Sequence, residues 1–122
     1  MSVIAEDVPQ TAADETETCT PHLACHLIDR GEAERLAGML KAIADPTRLQ
    51  ILRLIEGSPA GEACVCDLTA CLNFRQPTVS HHLKVMTEAG LLDRERRGTW
   101  AWFSVNQDGV RRLREILDLS EN

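Results

Sequence analysis

Apolar residues recur along the chain with a helical rhythm, a strand rhythm or none, and each change marks an element. From about Gly31 to Ala44, Leu36, Met39, Leu40 and Ile43 fall at helical spacing and predict a first helix. Asp45-Pro46 then supplies an N-cap followed by proline at the first helical position, so a second helix starts there. Its expected buried stripe is Leu49, Leu52, Leu54 and Ile55, and the run Gly57-Ser58-Pro59-Ala60-Gly61 ends it. A short third helix is expected after Glu62-Ala63-Cys64-Val65-Cys66-Asp67, finishing near Leu72. Asn73-Phe74-Arg75 reads as a turn, and a fourth helix begins near Gln76-Pro77 and stops at Ala89, before Gly90. Two short helices joined by such a turn make a helix-turn-helix. The rhythm then shortens to that of strands at Leu91 to Glu95 and Trp100 to Val105, with Arg96-Arg97-Gly98-Thr99 as a hairpin tip. Asn106 caps a last helix, about Gln107 to Leu119, striped by Val110, Leu113, Ile116 and Leu117. The fold class expected is mainly α with a small β-hairpin: a winged helix-turn-helix occupying residues 29–119.

Residues 1–28 show no period. They are rich in Thr, Ala, Glu and Asp and carry Pro9 and Pro21, which reads as a flexible acidic tail. A chain of 122 residues fits one domain plus that tail. Its core is thin enough that sharing one with a second copy, as a homodimer, is expected. No apolar run approaches a membrane span and no signal peptide opens the chain, so a cytoplasmic protein without a membrane partner is expected.

Charge sharpens the picture. The net charge is −6, which by itself argues against nucleic acid. Residues 1–34, however, hold eight acidic residues and one basic residue, while residues 75–114 hold eight basic and four acidic ones. A local basic segment matters more to phosphate binding than the total.

The fourth helix sits at the head of that basic segment. At about 100° per residue, Leu83 and Met86 fall within roughly 40° of Val79, so these three point inward. Ser80, His81 and Lys84 lie on the far side, with Gln76 and Thr78 at the leading end. Gln reads adenine in a bidentate way, Ser and Thr contact bases or phosphates, and Lys suits phosphate or guanine. An ordinary amphipathic surface helix has the same pattern. The balance tips because Arg75 precedes the helix and Arg94, Arg96 and Arg97 follow on the hairpin, placed to reach a backbone or minor groove. His82 lies nearer the core face and is expected to be packed or hydrogen-bonded. The partner implied is a double-stranded DNA operator.

The sharpest chemical signal is Cys64-Val65-Cys66. Residues two apart on a regular helix diverge by roughly 200°, so the sulfurs converge only if the stretch is extended or begins a helix. Five cysteines in a chain with no sign of secretion favour metal binding or redox chemistry over a disulfide scaffold. Two thiolates leave a soft ion under-coordinated, and the tail offers Cys19 and Cys25, with His22 and His26 as lesser candidates. Cys71 is about 10 Å from Cys64 along a regular helix axis, too far to share an ion, and is expected to be a small core residue.

Three segments together resemble the ArsR/SmtB family of metal-sensing repressors. They are Ala44-Asp45-Pro46-Thr47-Arg48 with the residues to Leu54, then Cys64-Val65-Cys66-Asp67-Leu68, then Gln76 through Lys84. The resemblance spans about Ala33 to Val105. It implies a homodimer held by the first and last helices that represses a metal-resistance operon and leaves DNA when its cysteines capture a thiophilic inducer. The inducer expected is As(III) or Sb(III), with Cd(II), Pb(II) or Zn(II) as the alternative. Arsenite sensors of one branch have a third cysteine where this chain has Thr69, so the third thiolate must come from elsewhere. Cadmium/lead sensors take a cysteine pair from the tail, which Cys19 and Cys25 resemble. A branch that binds zinc through the last helix needs histidines there, and this chain has none after His82.

Three other functions compete. A thiol redox sensor on the same fold needs only the cysteines. A structural zinc protein would unfold on chelation. An enzyme fares worst: the chain lacks a glycine-rich phosphate loop, paired carboxylates at a cleft, and a nucleophile with an evident base.

Overall fold

A computed structural model describes residues 28–119. Cys19, Cys25, His22 and His26, with nearly all of the segment read as a tail, lie outside the described residues. The order of elements is α1 (Arg30–Ile43), α2 (Pro46–Glu56), a single 3-10 turn (Pro59–Gly61), β1 (Glu62–Cys64), α3 (Val65–Leu72), α4 (Gln76–Glu88), β2 (Leu92–Arg97), β3 (Trp100–Val105) and α5 (Gln107–Ile116). Every helix of the sequence reading is present.

The caps explain where the helices begin. The Asp29 carboxylate accepts from the Gly31 amide to open α1. Asp45 is extended, accepts from the Arg48 amide at 3.0 Å, and hands over to Pro46 at the start of α2. Asn106 does the same for α5, accepting from the Gly109 amide at 2.8 Å. Asn73 stops α3 in the left-handed conformation, φ 60°, and so sets the turn into α4.

The core lies where α1, α2, α3 and α4 meet the sheet. Ile51, Ile55, Val79, Leu83, Met86 and Leu91 are fully inaccessible. Val79, Leu83 and Met86 are the inward stripe of α4, as the angles required. The α2 stripe differs from expectation: Ile51 and Ile55 are buried, whereas Leu49 is 49% exposed. The last helix ends at Ile116, short of Leu119, and leaves Ile116 and Leu117 exposed.

The larger difference is a third strand. The wing is a three-stranded antiparallel sheet in the order β1-β3-β2. β1 pairs Glu62 with Ser104, Ala63 with Phe103 and Cys64 with Trp102. Its entry is set by two left-handed residues, Ala60 (φ 58°) and Gly61 (φ 70°), which turn the chain after α2 into extended backbone. α3 therefore starts at Val65, two residues before the end of the stretch that was expected to precede it. The hairpin tip is also tighter. β2 runs through Arg96 and Arg97, leaving only Gly98-Thr99 as the turn, with Gly98 at φ 65°.

Candidate nucleic-acid interface and sulfur site

α4 presents one continuous polar face. Gln76, Thr78, His81 and Lys84 are exposed, Ser80 is half-buried, and Arg75 is exposed at the N-cap. Their arrangement follows from the buried stripe opposite, since fixing Val79, Leu83 and Met86 inward fixes the other residues outward. His82 is held apart from them. Arg48 Nη1 donates to its Nδ1 at 3.1 Å, and Arg48 Nε donates to the Ala42 carbonyl. One guanidinium thus ties α4 to α2 and to the end of α1. Sequence reasoning placed His82 toward the core but did not identify Arg48 as its partner; a long-range side-chain pair leaves no local periodic signal.

The wing splits its three arginines. Facing residues of antiparallel strands share a side of the sheet. Arg94 faces Phe103 and Arg96 faces Ala101, on the side toward α4. Arg97 belongs to the opposite side. Its Nη2 donates to Glu62 at 2.6 Å and to Glu95 at 2.8 Å, and its guanidinium lies 5.2 Å from the centre of the Trp102 ring. Glu95 first, then Glu62, holds Arg97 above its ordinary pKa. Arg94 and Arg96 form no ion pair among the described residues, whereas Arg97 is occupied by two.

The sulfur site follows from the strand that precedes α3. Cys64 is extended (φ −92°, ψ 167°) and is the N-cap, while Cys66 lies in the first turn. The change from extended to helical backbone between them removes the divergence of a regular helix. The Cys64 and Cys66 sulfurs and an Asp67 carboxylate oxygen all lie within 4.8 Å of one another. Cys64 is buried, and Cys66 and Asp67 are exposed, so the cluster opens to solvent on one side. Burial pushes the Cys64 thiol above its ordinary pKa, reinforced by the Cys66 thiol beside it. Two soft donors and one hard one suit a thiophilic ion that also accepts oxygen, or one completed by further thiolates.

Asp67 was quoted in the sequence motif but not counted as a donor; its proximity becomes apparent only once the start of α3 is fixed. Thr69 donates through Oγ1 to the Val65 carbonyl at 2.7 Å and is spent within the helix. Cys71 is exposed, contrary to its expected place in the core. It borders a groove with Leu49 and Leu72 on the outer side of α2 and α3, because the inward stripe of α3 runs Val65, Leu68, Leu72 and Cys71 lies about 100° round the helix from Leu72.

A helix-turn-helix with a three-stranded wing beside its second helix is a winged-helix fold, an architecture common among DNA-binding regulators. Residues 45–94 match the bacterial regulatory protein, arsR family, profile. The chain is 38% identical over 85 residues to an uncharacterised HTH-type transcriptional regulator of Methanocaldococcus jannaschii, covering 70% of this chain and 93% of the relative. It is 40% identical over 73 residues to the arsenical resistance operon repressor of Bacillus subtilis, covering 60% of this chain and 68% of that one. In fold it is similar to a homodimeric winged helix-turn-helix DNA-binding domain from Mycobacterium bovis, with a TM-score of 0.60, 24% identity, and coverage of 79% of this chain and 95% of that one. This chain belongs to the ArsR family of transcriptional repressors. No helix among the described residues is long and apolar enough to cross a membrane.

Proposed function

We propose that the chain is a homodimeric, inducer-responsive repressor of a metal-resistance operon, released from DNA when Cys64 and Cys66 capture As(III) or Sb(III). The observation that carries this reading is the convergence of two sulfurs and a carboxylate within 4.8 Å at the start of the helix that supports α4. An ion gripped there fixes the front of α3, and α3 sets the pose of the reading helix through the Asn73 turn. Coupling of this kind is typically worth about 1–3 kcal/mol. As(III) takes three thiolate ligands, so Cys19 or Cys25 supplies the remaining sulfur. The repressor works in the reducing cytoplasm, where its thiols stay free.

Gln76, Thr78, Ser80 and His81 reach base edges, while Arg75, Lys84, Arg94 and Arg96 contact phosphate. Arg97 contributes to the wing's field but is already engaged by Glu62 and Glu95. The homodimer forms through α1 and α5. Leu40, Ile116 and Leu117 are 37%, 38% and 55% exposed, and Leu117 lines a cavity of about 670 Å³ together with Ile43, Leu52, Val110 and Leu113. A helical apolar face left open in this way calls for a partner surface.

A second reading, Cd(II), Pb(II) or Zn(II) as inducer, is favoured by the Asp67 oxygen at the cluster. The deciding experiment is an operator-release titration of the reduced protein with arsenite, antimonite, cadmium, lead and zinc. Release by arsenite at the lowest free concentration supports the first reading. Release by cadmium or lead at lower concentration, weakened by Asp67→Asn, supports the second. Release only after oxidation makes the protein a redox sensor instead.

A further inference from the structure

Between the outward half of α4 and the inner side of the wing lies a cleft of about 400 Å³, within the 300–1,000 Å³ typical of small-molecule sites. None of Cys64, Cys66 and Asp67 lines it, although Val65, the residue between the two cysteines, does. Its floor is mostly apolar, with Val65 at the head of α3 and Ala101 and Phe103 from β3; Ser80 and Thr87 of α4 bring hydroxyls to its wall, and Thr87 Oγ1 already donates to the Leu83 carbonyl. Its rim carries Lys84 and Glu88 from α4 and Arg94 from β2. Neither Lys84 nor Arg94 forms an ion pair among the described residues, with Glu88 or with any other carboxylate.

We propose that this cleft is a second effector site, binding a small organic monoanion with a flat apolar body, of the arylcarboxylate class. Charge complementarity selects the ligand. Two uncommitted cations against one carboxylate leave a single positive charge at the rim, which one carboxylate group matches and a dianion exceeds. The floor selects the rest of the ligand. Phe103 offers an aromatic surface for offset or edge contact, and Val65 and Ala101 offer no hydrogen bond to a polar body. Such a ligand occupies Lys84 and Arg94. Its competition with the operator rests on the repressor function proposed above, which assigns both cations to phosphate.

The test is calorimetric titration of the full, reduced chain with 2-naphthoate, first without DNA. One saturable site per chain is expected. Affinity is expected to fall at least tenfold in Ala101→Phe, which fills the floor, and in the Lys84→Gln/Arg94→Gln pair. The uncharged 2-naphthamide is expected to bind at least tenfold more weakly to the unaltered chain. The two lysine and arginine positions are exposed, so that variant tests the site even if Ala101→Phe fails to fold. No saturable binding, or binding indifferent to both the charge variant and the amide, overturns the site. In a second arm, naphthoate is expected to weaken operator binding competitively; binding to the chain without any effect on an intact operator complex overturns its role as an effector. Because the first arm contains no DNA, its failure leaves the repressor function standing, and failure to bind an operator leaves the first arm readable.

Discussion

Arg97, at the end of β2, reaches across the full width of the wing to Glu62, the first residue of β1, with Nη2 and Oε1 2.6 Å apart. Glu62 stands two residues before Cys64 on the same strand, and Cys64 pairs with Trp102, over which the Arg97 guanidinium lies. The sulfur site and the wing are therefore joined through one three-residue strand. Under the proposed function, an ion that draws Cys64 toward Cys66 pulls on β1, which is joined to the rest of the wing by its pairing with β3 and to the end of β2 by this ion pair. An exposed pair adds little to stability, so Glu62→Gln is expected to leave the melting temperature nearly unchanged. It is expected to cut the ratio of operator affinities without and with inducer by about threefold or more, within the range measured for residues between coupled sites. An unchanged ratio, measured by fluorescence anisotropy, removes the wing from the coupling route.

Lys84 and Arg94 project from different elements toward the same side of the molecule, without ionic partners among the described residues. If each neutralises one phosphate, Lys84→Ala and Arg94→Ala each lower the slope of log affinity against log salt by about 1, uniformly across operator sequences. Gln76→Ala is expected instead to relax sequence preference at one position, with the slope intact. A salt titration over operator and scrambled duplexes separates the two outcomes.

The pH dependence of induction has a definite sign. Burial raises the Cys64 thiol above its ordinary pKa, so the unloaded site holds a proton that a bound ion must displace. Apparent affinity for cadmium is therefore expected to climb steadily between about pH 6 and pH 8, with proton release at Cys64. Calorimetry in buffers of different ionisation enthalpy counts those protons. Affinity independent of pH across that range is incompatible with a protonated Cys64.

Gly109 sits in the first turn of α5, where a Cβ would lie 2.5 Å from Met39 Cε and 2.6 Å from the Gly90 carbonyl oxygen. Replacing glycine with alanine in an exposed helix gains up to about 1 kcal/mol. Here Gly109→Ala is expected to cost about 1–3 kcal/mol, because backbone of the α4–β2 connection has to move. Denaturant unfolding reads the difference, and a stabilised variant contradicts the close approach of α5 to Gly90.

Much of this fold was legible in the chain itself. Helix caps such as Asp45 and Asn106 and the Val79, Leu83, Met86 stripe are local signals, and they led to the right elements. β1 was not legible. Three residues are too few to display alternation, and Glu62–Cys64 is a strand only because β3 lies alongside it. Placing Arg96 and Arg97 in the hairpin tip hid their separation to opposite sides of the sheet, which depends on β2 continuing through both; missing β1 hid Glu62 as the partner of Arg97 and the proximity of Asp67 to the sulfurs, which depends on where α3 starts. Cys71 was misplaced because cysteine is often buried, whereas its surroundings are set by how far α3 turns away from α2.

The central claim is that sulfur chemistry at the head of α3 opposes docking of α4 on DNA. Its most direct measurement is the operator dissociation constant of the reduced dimer, without and with saturating arsenite, for the unaltered chain and for Cys64→Ser and Cys66→Ser. Arsenite is expected to weaken binding at least tenfold in the unaltered chain, about 1.4 kcal/mol of coupling, and by less than twofold in either variant. Equal affinity with and without the ion in the unaltered chain, or full release retained by both variants, contradicts it.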